Sequence, residues 1–352
     1  MLKSKKWMVL LFVMIITGLL AACGDAKSGK ATKETGKDLP KTVNIGYFEY
    51  IDDSYIVKQK GWLEDELKKQ GIELNWVSFQ AGRDSNNAML SKTIDMQISI
   101  GDPPVSTAVS TGIPYEIFWT GQTVGEAEAL VAHKDKGIQN ISDLKGKRIA
   151  TTVTATSHYS LLSALQLNGL KASDVQIVDL NPADILSAWK RGDIDAAYTW
   201  EPGLSELLKD GTKLTSSAEL AKEGHPTATY GIVRKEFGEK YPQLVELYIE
   251  QLIRAQKLYA EKPEEAHKLW ADALQITEEE AAKQAKGADW LTPEQQLSED
   301  FLGKKGNIGK TAQSLKKIGD FLVDQQSLPK KLDVSAYEQV INPAYLEKAA
   351  NK

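Results

Sequence analysis

The sequence predicts an α/β protein in which short strands alternate with helices of about ten residues, built as two lobes on one plan and finished by a run of C-terminal helices. Three observations lead there. Apolar runs rich in branched and aromatic residues alternate with amphipathic stretches between Thr42 and Arg234, the pattern of sheets wound through crossover helices. Asp84, Ala88, Ile94 and Asp95 recur 100 residues later as Asp184, Ala188, Ile194 and Asp195, a weak internal echo. Beyond Lys235 the strands give way to long helices.

Taken in order, the chain begins with Lys3, Lys5 and Lys6 ahead of the apolar run Trp7–Ala22, followed by Cys23. That run is shorter than the roughly 20 residues that span a bilayer. A basic start, an apolar middle and small residues at its end are the marks of a secretory signal, so residues 1–22 are expected to be a signal peptide. Leu20-Ala21-Ala22-Cys23 resembles the bacterial lipobox, which implies cleavage before Cys23 and lipidation of its thiol. An ordinary signal peptide with an incidental cysteine is the alternative. The resemblance implies a protein on the outer face of the bacterial cytoplasmic membrane, anchored at Cys23. No other cysteine occurs, so a disulfide framework, a cysteine metal site and a thiol nucleophile are not expected. Residues 23–41 hold Gly, Lys, Ser and Thr and almost nothing apolar, a flexible tether. The chain carries 48 acidic and 43 basic side chains, a net charge of −5. Loss of the three leader lysines takes the net to −8. An acidic body argues against a nucleic-acid partner.

Thr42–Phe48 reads as the first strand and Ile72–Phe79 as the second, with helical pieces between them broken at Gly61. Gly82 opens a helix, Met96–Ile100 is a short strand, and Pro103 sits at a helix start, where proline fits best. Tyr115–Trp119 and Ala129–His133 follow as strands. Gly146–Val153, Val175–Leu180, Ala196–Trp200 and Ala228–Val233 repeat the plan. Ala129–His133 and Ala228–Val233 are expected to be the two connections between lobes. Lobe one then comprises 42–127 and 234–348, and lobe two 128–233. Past Lys235, Val245, Tyr248, Ile249, Leu252 and Ile253 keep the spacing of an amphipathic helix.

Ligands of open α/β sheets bind where strands run into helices, and four such places stand out. At Thr156-Ser157-His158-Tyr159 a strand turns through hydroxyl residues into a helix whose free amides and dipole suit an anion. Thr156 or Ser157 would be its N-cap, and Asn168-Gly169 its end. A capped crossover helix without ligand is the plainer alternative. Gly101-Asp102 follows a strand at a place where glycine permits close backbone approach, or simply a turn. Tyr198 and Trp200 end a strand and can wall a cation or an alkyl chain, unless they are core. Glu128 precedes the apolar strand Ala129-Leu130-Val131, as an amine partner or as a solvated acid.

Enzymatic arrangements are weak. The four histidines lack metal-ligand spacing, so no metal and no cofactor is expected. There is no phosphate-binding glycine loop. Ser157 and His158 are neighbours on a helix and point about 100° apart. A non-enzyme is the expectation.

The residues do suggest a family. Thr156–Leu165 (TSHYSLLSAL), Leu186–Tyr198 (LSAWKRGDIDAAY), Glu128–Val131, Gly146–Ala150 and Trp290-Leu291-Thr292-Pro293 look like the taurine-binding proteins of bacterial ABC importers. The likeness covers most of Thr42–Tyr345. It implies a type II periplasmic-binding-protein-like fold, two α/β lobes joined by a two-strand hinge with C-terminal helices. It also implies a monomer that closes on taurine and hands it to a membrane permease. Thr156–Tyr159 would take the sulfonate, and Glu128, Tyr198, Trp200 and Asp102 the ammonium. Asp102-Pro103 stands where that family usually has hydroxyl residues, and Glu201 where it has a small one. A receptor for simple alkanesulfonates or another small anion, or an enzyme of the same fold, are the rival expectations.

Overall fold

The computed structural model describes residues Leu39–Lys352. The expected signal peptide, Cys23 and the tether as far as residue 38 lie outside the described residues; the expected tether ends too late, because Leu39 packs against the core and the Lys41 carbonyl accepts the Glu73 amide at 2.9 Å. Strands β1 (Thr42–Phe48), β2 (Glu73–Phe79), β3 (Met96–Gly101) and β4 (Tyr115–Val124) come first, with helices α1 (Asp53–Lys60), α2 (Trp62–Lys68), α3 (Gly82–Leu90) and α4 (Asp102–Thr111) between them. Next come β5 (Glu128–His133), β6 (Arg148–Thr151), α5 (Thr156–Leu167), β7 (Gln176–Asp179), α6 (Pro182–Lys190) and β8 (Ala196–Trp200). After α7 (Gly203–Leu208), β9 (Gly211–Ser216), α8 (Ser217–Lys222) and β10 (Thr227–Arg234), the chain becomes mostly helical. It continues through α9 (Lys235–Lys240), α10 (Pro242–Glu261), α11 (Pro263–Leu274), α12 (Glu278–Ala285), β11 (Ala288–Trp290), α13 (Pro293–Gln296) and α14 (Thr311–Asp324).

Two principal sheets result. The six-stranded one runs β11-β4-β10-β3-β1-β2 and the five-stranded one β7-β6-β8-β5-β9. Each buries its own apolar residues. Ile45, Ile98, Ile117 and Ile232 of the first sheet pack with Tyr248 and Leu252 of α10. The second sheet has a core on each face, one around Leu130 and Leu161, the other around Val131 and Trp189. Neither sheet is wholly parallel, as strand–helix alternation alone suggests. β10 runs antiparallel to β3 and β4, and β5 antiparallel to β8 and β9. These strands enter from the other sheet rather than through a crossover helix, which frees their direction.

The same fact corrects the expected lobe limit at Val233. Neither strand expected as a connection is one: Ala228–Val233 lies between β3 and β4 in the six-stranded sheet, and Ala129–His133 between β8 and β9 in the five-stranded sheet. The chain passes between sheets at residues 125–127 and again at 223–226, before β5 and β10 begin.

The internal echo has a physical basis. Asp95 and Asp195 each follow a helix and open a strand. The Asp95 carboxylate accepts the Asn44 amide at 2.9 Å, and that of Asp195 accepts the Arg148 amide at 2.8 Å. Each acid thus caps the first edge of its neighbouring parallel strand in the same way.

Candidate functional site

The site is assembled from the ends of strands. Phe48 and Gly101 at the ends of β1 and β3, Val124 of β4, Glu128 at the start of β5 and Trp200 at the end of β8 line one small cavity. Tyr50, Ala81, Gly82, Ser99, Ala155, Thr156 and Thr229 complete most of its wall. Its volume of about 60 Å³ leaves room for a few waters or one small solute. No lysine, arginine or histidine is among its lining residues.

Two helices aim their first turns at this space. Helix α5 starts after Ala155, which lies in extended backbone, and its first intrahelical amide bond is from Tyr159 to the Ala155 carbonyl. The amides of Thr156, Ser157 and His158 are therefore left over, as at any helix start. Helix α3 starts after Ala81, and Asp84 is the first to bond back, leaving the Gly82 and Arg83 amides. Helix α4 starts between them but offers little, because Pro103 and Pro104 have no amide hydrogen. Two helix ends and their partial positive charge thus face a cavity with no lining cation.

The hydroxyl groups expected to share in that seat are otherwise engaged. Thr156 is the first helical residue rather than the N-cap, and its hydroxyl donates to Glu128 Oε2. The Ser157 hydroxyl accepts from Thr151 at 3.0 Å within the protein. Tyr159 turns away, its ring against Phe321 of α14 and its hydroxyl 3.2 Å from His225 Nδ1. The His158 ring is buried, which pulls its pKa down to about 4 and leaves it uncharged at neutral pH. Of this stretch, Thr156 reaches the cavity wall, while Ser157, His158 and Tyr159 contribute backbone or packing.

Against the first turn of α5 lies acid. Glu128 is 1% exposed and accepts from Thr156, from Ser217 at 2.8 Å and from Ser160 at 3.4 Å. Burial pushes its pKa up to about 7, against the pull of those three hydroxyls. Tyr198 does not reach the cavity. Its hydroxyl sits 3.2 Å from that of Ser217, so it braces Glu128 from behind, and its ring is core. Asp102 is also drawn off the expected site. Its carboxylate accepts the Ala228 amide and, at 2.7 Å, the Tyr230 hydroxyl, tying α4 to β10. Burial raises it as well to about 7. Glu201 accepts from Ser205 and holds the start of α7. Of the nine expected ligand residues, Gly101, Glu128, Thr156 and Trp200 come together at the cavity. Phe48, Tyr50, Gly82 and Ser99 were missed. A signal was present for Gly82, since it too follows a strand and opens a helix.

The raised acids have a stability consequence. A free glutamate titrates near 4.3, whereas folded Glu128 holds its proton to about 7. Between these values the folded state binds a proton that the unfolded state lacks, so this contribution to stability is lost as pH rises through 7. The contribution of Glu128 to the thermal midpoint of the ligand-free protein should therefore fall between about pH 4.5 and 7. Glu128→Gln should flatten that slope, and an unchanged slope in the variant would contradict the assignment.

Two α/β halves that enclose one small cavity at their strand ends define the periplasmic-binding-protein-like class. Solved structures agree on the fold. The alkanesulfonate-binding protein SsuA from Xanthomonas axonopodis pv. citri bound to MOPS superposes with a TM-score of 0.71 at 21% identity, over 86% of this chain and 98% of that one. The periplasmic aliphatic sulphonate binding protein SsuA from Escherichia coli gives 0.68 at 22% identity, over 88% and 100%. The family model described as NMT1/THI5 like matches residues 50–266, and the chain belongs to this family. It is 39% identical to the taurine-binding periplasmic protein of Escherichia coli (strain K12) over 72% of this chain and 80% of that protein. It is 28% identical to a putative aliphatic sulfonates-binding protein of Bacillus subtilis (strain 168), over 98% and 97%.

Proposed function

We propose that the protein is an extracytoplasmic solute-binding protein that captures taurine and delivers it to an ABC importer by closing two lobes around it. The observation that carries the ligand class is the pairing of charges in one cavity without a lining cation: two helix N-termini, and beside the first turn of α5 the buried Glu128 carboxylate. A sulfonate stays anionic at any physiological pH and only accepts hydrogen bonds. The amides of Gly82, Arg83, Thr156 and Ser157 meet it without a countercharge. An ammonium two carbons away finds Glu128, with Trp200, Phe48 and Tyr50 as its walls. Taurine has seven non-hydrogen atoms, in keeping with the small space.

The hinge would lie at residues 125–127 and 223–226, so that β10 moves with the six-stranded sheet. Closure selects by satisfaction: a ligand lacking either charge leaves buried amides or a buried carboxylate unpaired. Simple alkanesulfonates form the second reading, favoured by the likeness to the Bacillus subtilis relative along nearly the whole chain. Calorimetry separates them. Taurine should bind more tightly than ethanesulfonate, and equal affinities would remove the ammonium seat.

The anchor is part of the same reading. With Cys23 lipidated and the stretch before Leu39 as a tether, the body would stand off the membrane within reach of a permease. Cys23→Ser should shift the protein from the membrane fraction to the soluble one, and retention in the membrane would rule out this anchor.

A further inference from the structure

We propose that Arg83, Asp179 and Asn181 form a clamp across the cleft that sets the spacing of the two helix ends facing the cavity. The proposal rests on the ligand reading above. Arg83 is the second residue of α3, on the six-stranded-sheet side. Its guanidinium donates to Asp179 at 2.7 Å and to Asn181 at 3.3 Å, both on the five-stranded-sheet side. Asp179 ends β7, and its other oxygen accepts the Val153 amide at 3.0 Å. Val153 lies in the turn between β6 and α5, next to Thr154, whose φ of 69° is strained for a side-chain-bearing residue. One carboxylate therefore holds the turn that aims α5 and, at the same time, the first turn of α3.

None of the three side chains is among the cavity-lining residues. They act as positioning residues: the clamp fixes how far apart the α3 and α5 amides stand, hence the size of anion both can reach. It also favours the closed arrangement before any ligand arrives. Arg83 and Asp179 are about two-fifths exposed, at 37% and 43%, so salt weakens the clamp.

The test is taurine affinity and dissociation rate for wild type, Arg83→Ala, Asp179→Asn and the double variant, at low and at 1 M salt. Asparagine keeps an acceptor for Val153, so the turn is spared. Each single variant is expected to bind about five-fold more weakly at low salt, with faster release, and the double variant no more weakly than either single. The difference from wild type should close at high salt. Wild-type affinity in Arg83→Ala, additive losses in the double variant, or a loss indifferent to salt would overturn the clamp. Small-angle scattering of the ligand-free proteins gives a readout that needs no ligand. Arg83→Ala should be the more extended, and equal radii would overturn the clamp. Failure of wild type to bind any sulfonate would overturn the ligand reading alone, leaving the clamp to be decided by scattering.

Discussion

Glu128→Gln is expected to weaken taurine binding by about 100-fold or more while leaving ethanesulfonate within about three-fold of its wild-type affinity. The asymmetry follows from where the carboxylate sits. Glu128 is buried, and its three bonding partners, Thr156, Ser160 and Ser217, are hydroxyls that carry no charge. An ammonium placed against it would bring the opposite charge that these three partners lack. Glutamine keeps the shape and an acceptor for the hydroxyls but loses that charge, and removing one partner of a buried charge pair costs about 2–5 kcal/mol. Ethanesulfonate brings no ammonium and has nothing to lose. The dependence on pH points the same way. In the empty protein Glu128 is protonated below about 7, so taurine must displace that proton and its affinity should fall as pH drops from 8 to 6. Calorimetry in buffers of different ionisation enthalpy would register the released proton, and its absence in wild type would contradict the assigned partner.

Gly101→Val should weaken taurine and ethanesulfonate alike, by about 30–100-fold, with little change in the thermal midpoint of the ligand-free protein. A Cβ built on Gly101 would lie 2.6 Å from Thr156 Cγ2, across the cleft between the two sheets. Thr156 cannot swing aside freely, because its hydroxyl is held by Glu128. Overpacking of this kind costs about 1–3 kcal/mol in a well-packed site, and here it falls on the closed arrangement alone. An open arrangement has room for valine, so the fold survives. Isothermal titration with both ligands and a thermal melt distinguish this from Glu128→Gln, which separates the two ligands. Unchanged affinity in Gly101→Val would show that the halves do not need to approach at this point.

Much of the fold was legible in the chain because its signals are local. The strands at Thr42, Met96 and Ala196 are runs of apolar residues bounded by turns, and α10 follows its helical period. The stop of α5 at Asn168-Gly169 is a glycine with φ of 73°, which the sequence marks plainly. Strand direction was not legible, since β5 and β10 arrive from the opposite sheet and no residue pattern records that. The short strand β9, between helices α7 and α8, is not legible either. Its polar residues, Thr212, Lys213 and Thr215 among them, give no clear period.

The site was half legible for a related reason. Sequence shows which residues lie near a strand end, but not which way each side chain turns. Thr156, Ser157, His158 and Tyr159 are adjacent, yet only the first reaches the cavity wall. A helix spreads neighbouring side chains by about 100°, and Tyr159 is claimed by Phe321, more than 160 residues away. Asp102 was drawn aside by Tyr230 and Ala228, partners 128 and 126 residues away. Tyr50 and Phe48 enter from the end of β1, where nothing marks them as ligand-facing.

The most direct measurement is a crystal structure of the protein with taurine bound. The account predicts sulfonate oxygens about 3 Å from amides of Gly82 or Arg83 and of Thr156 or Ser157, with the ammonium against Glu128. A sulfonate lodged away from both helix ends, or an ammonium turned from Glu128, would contradict it.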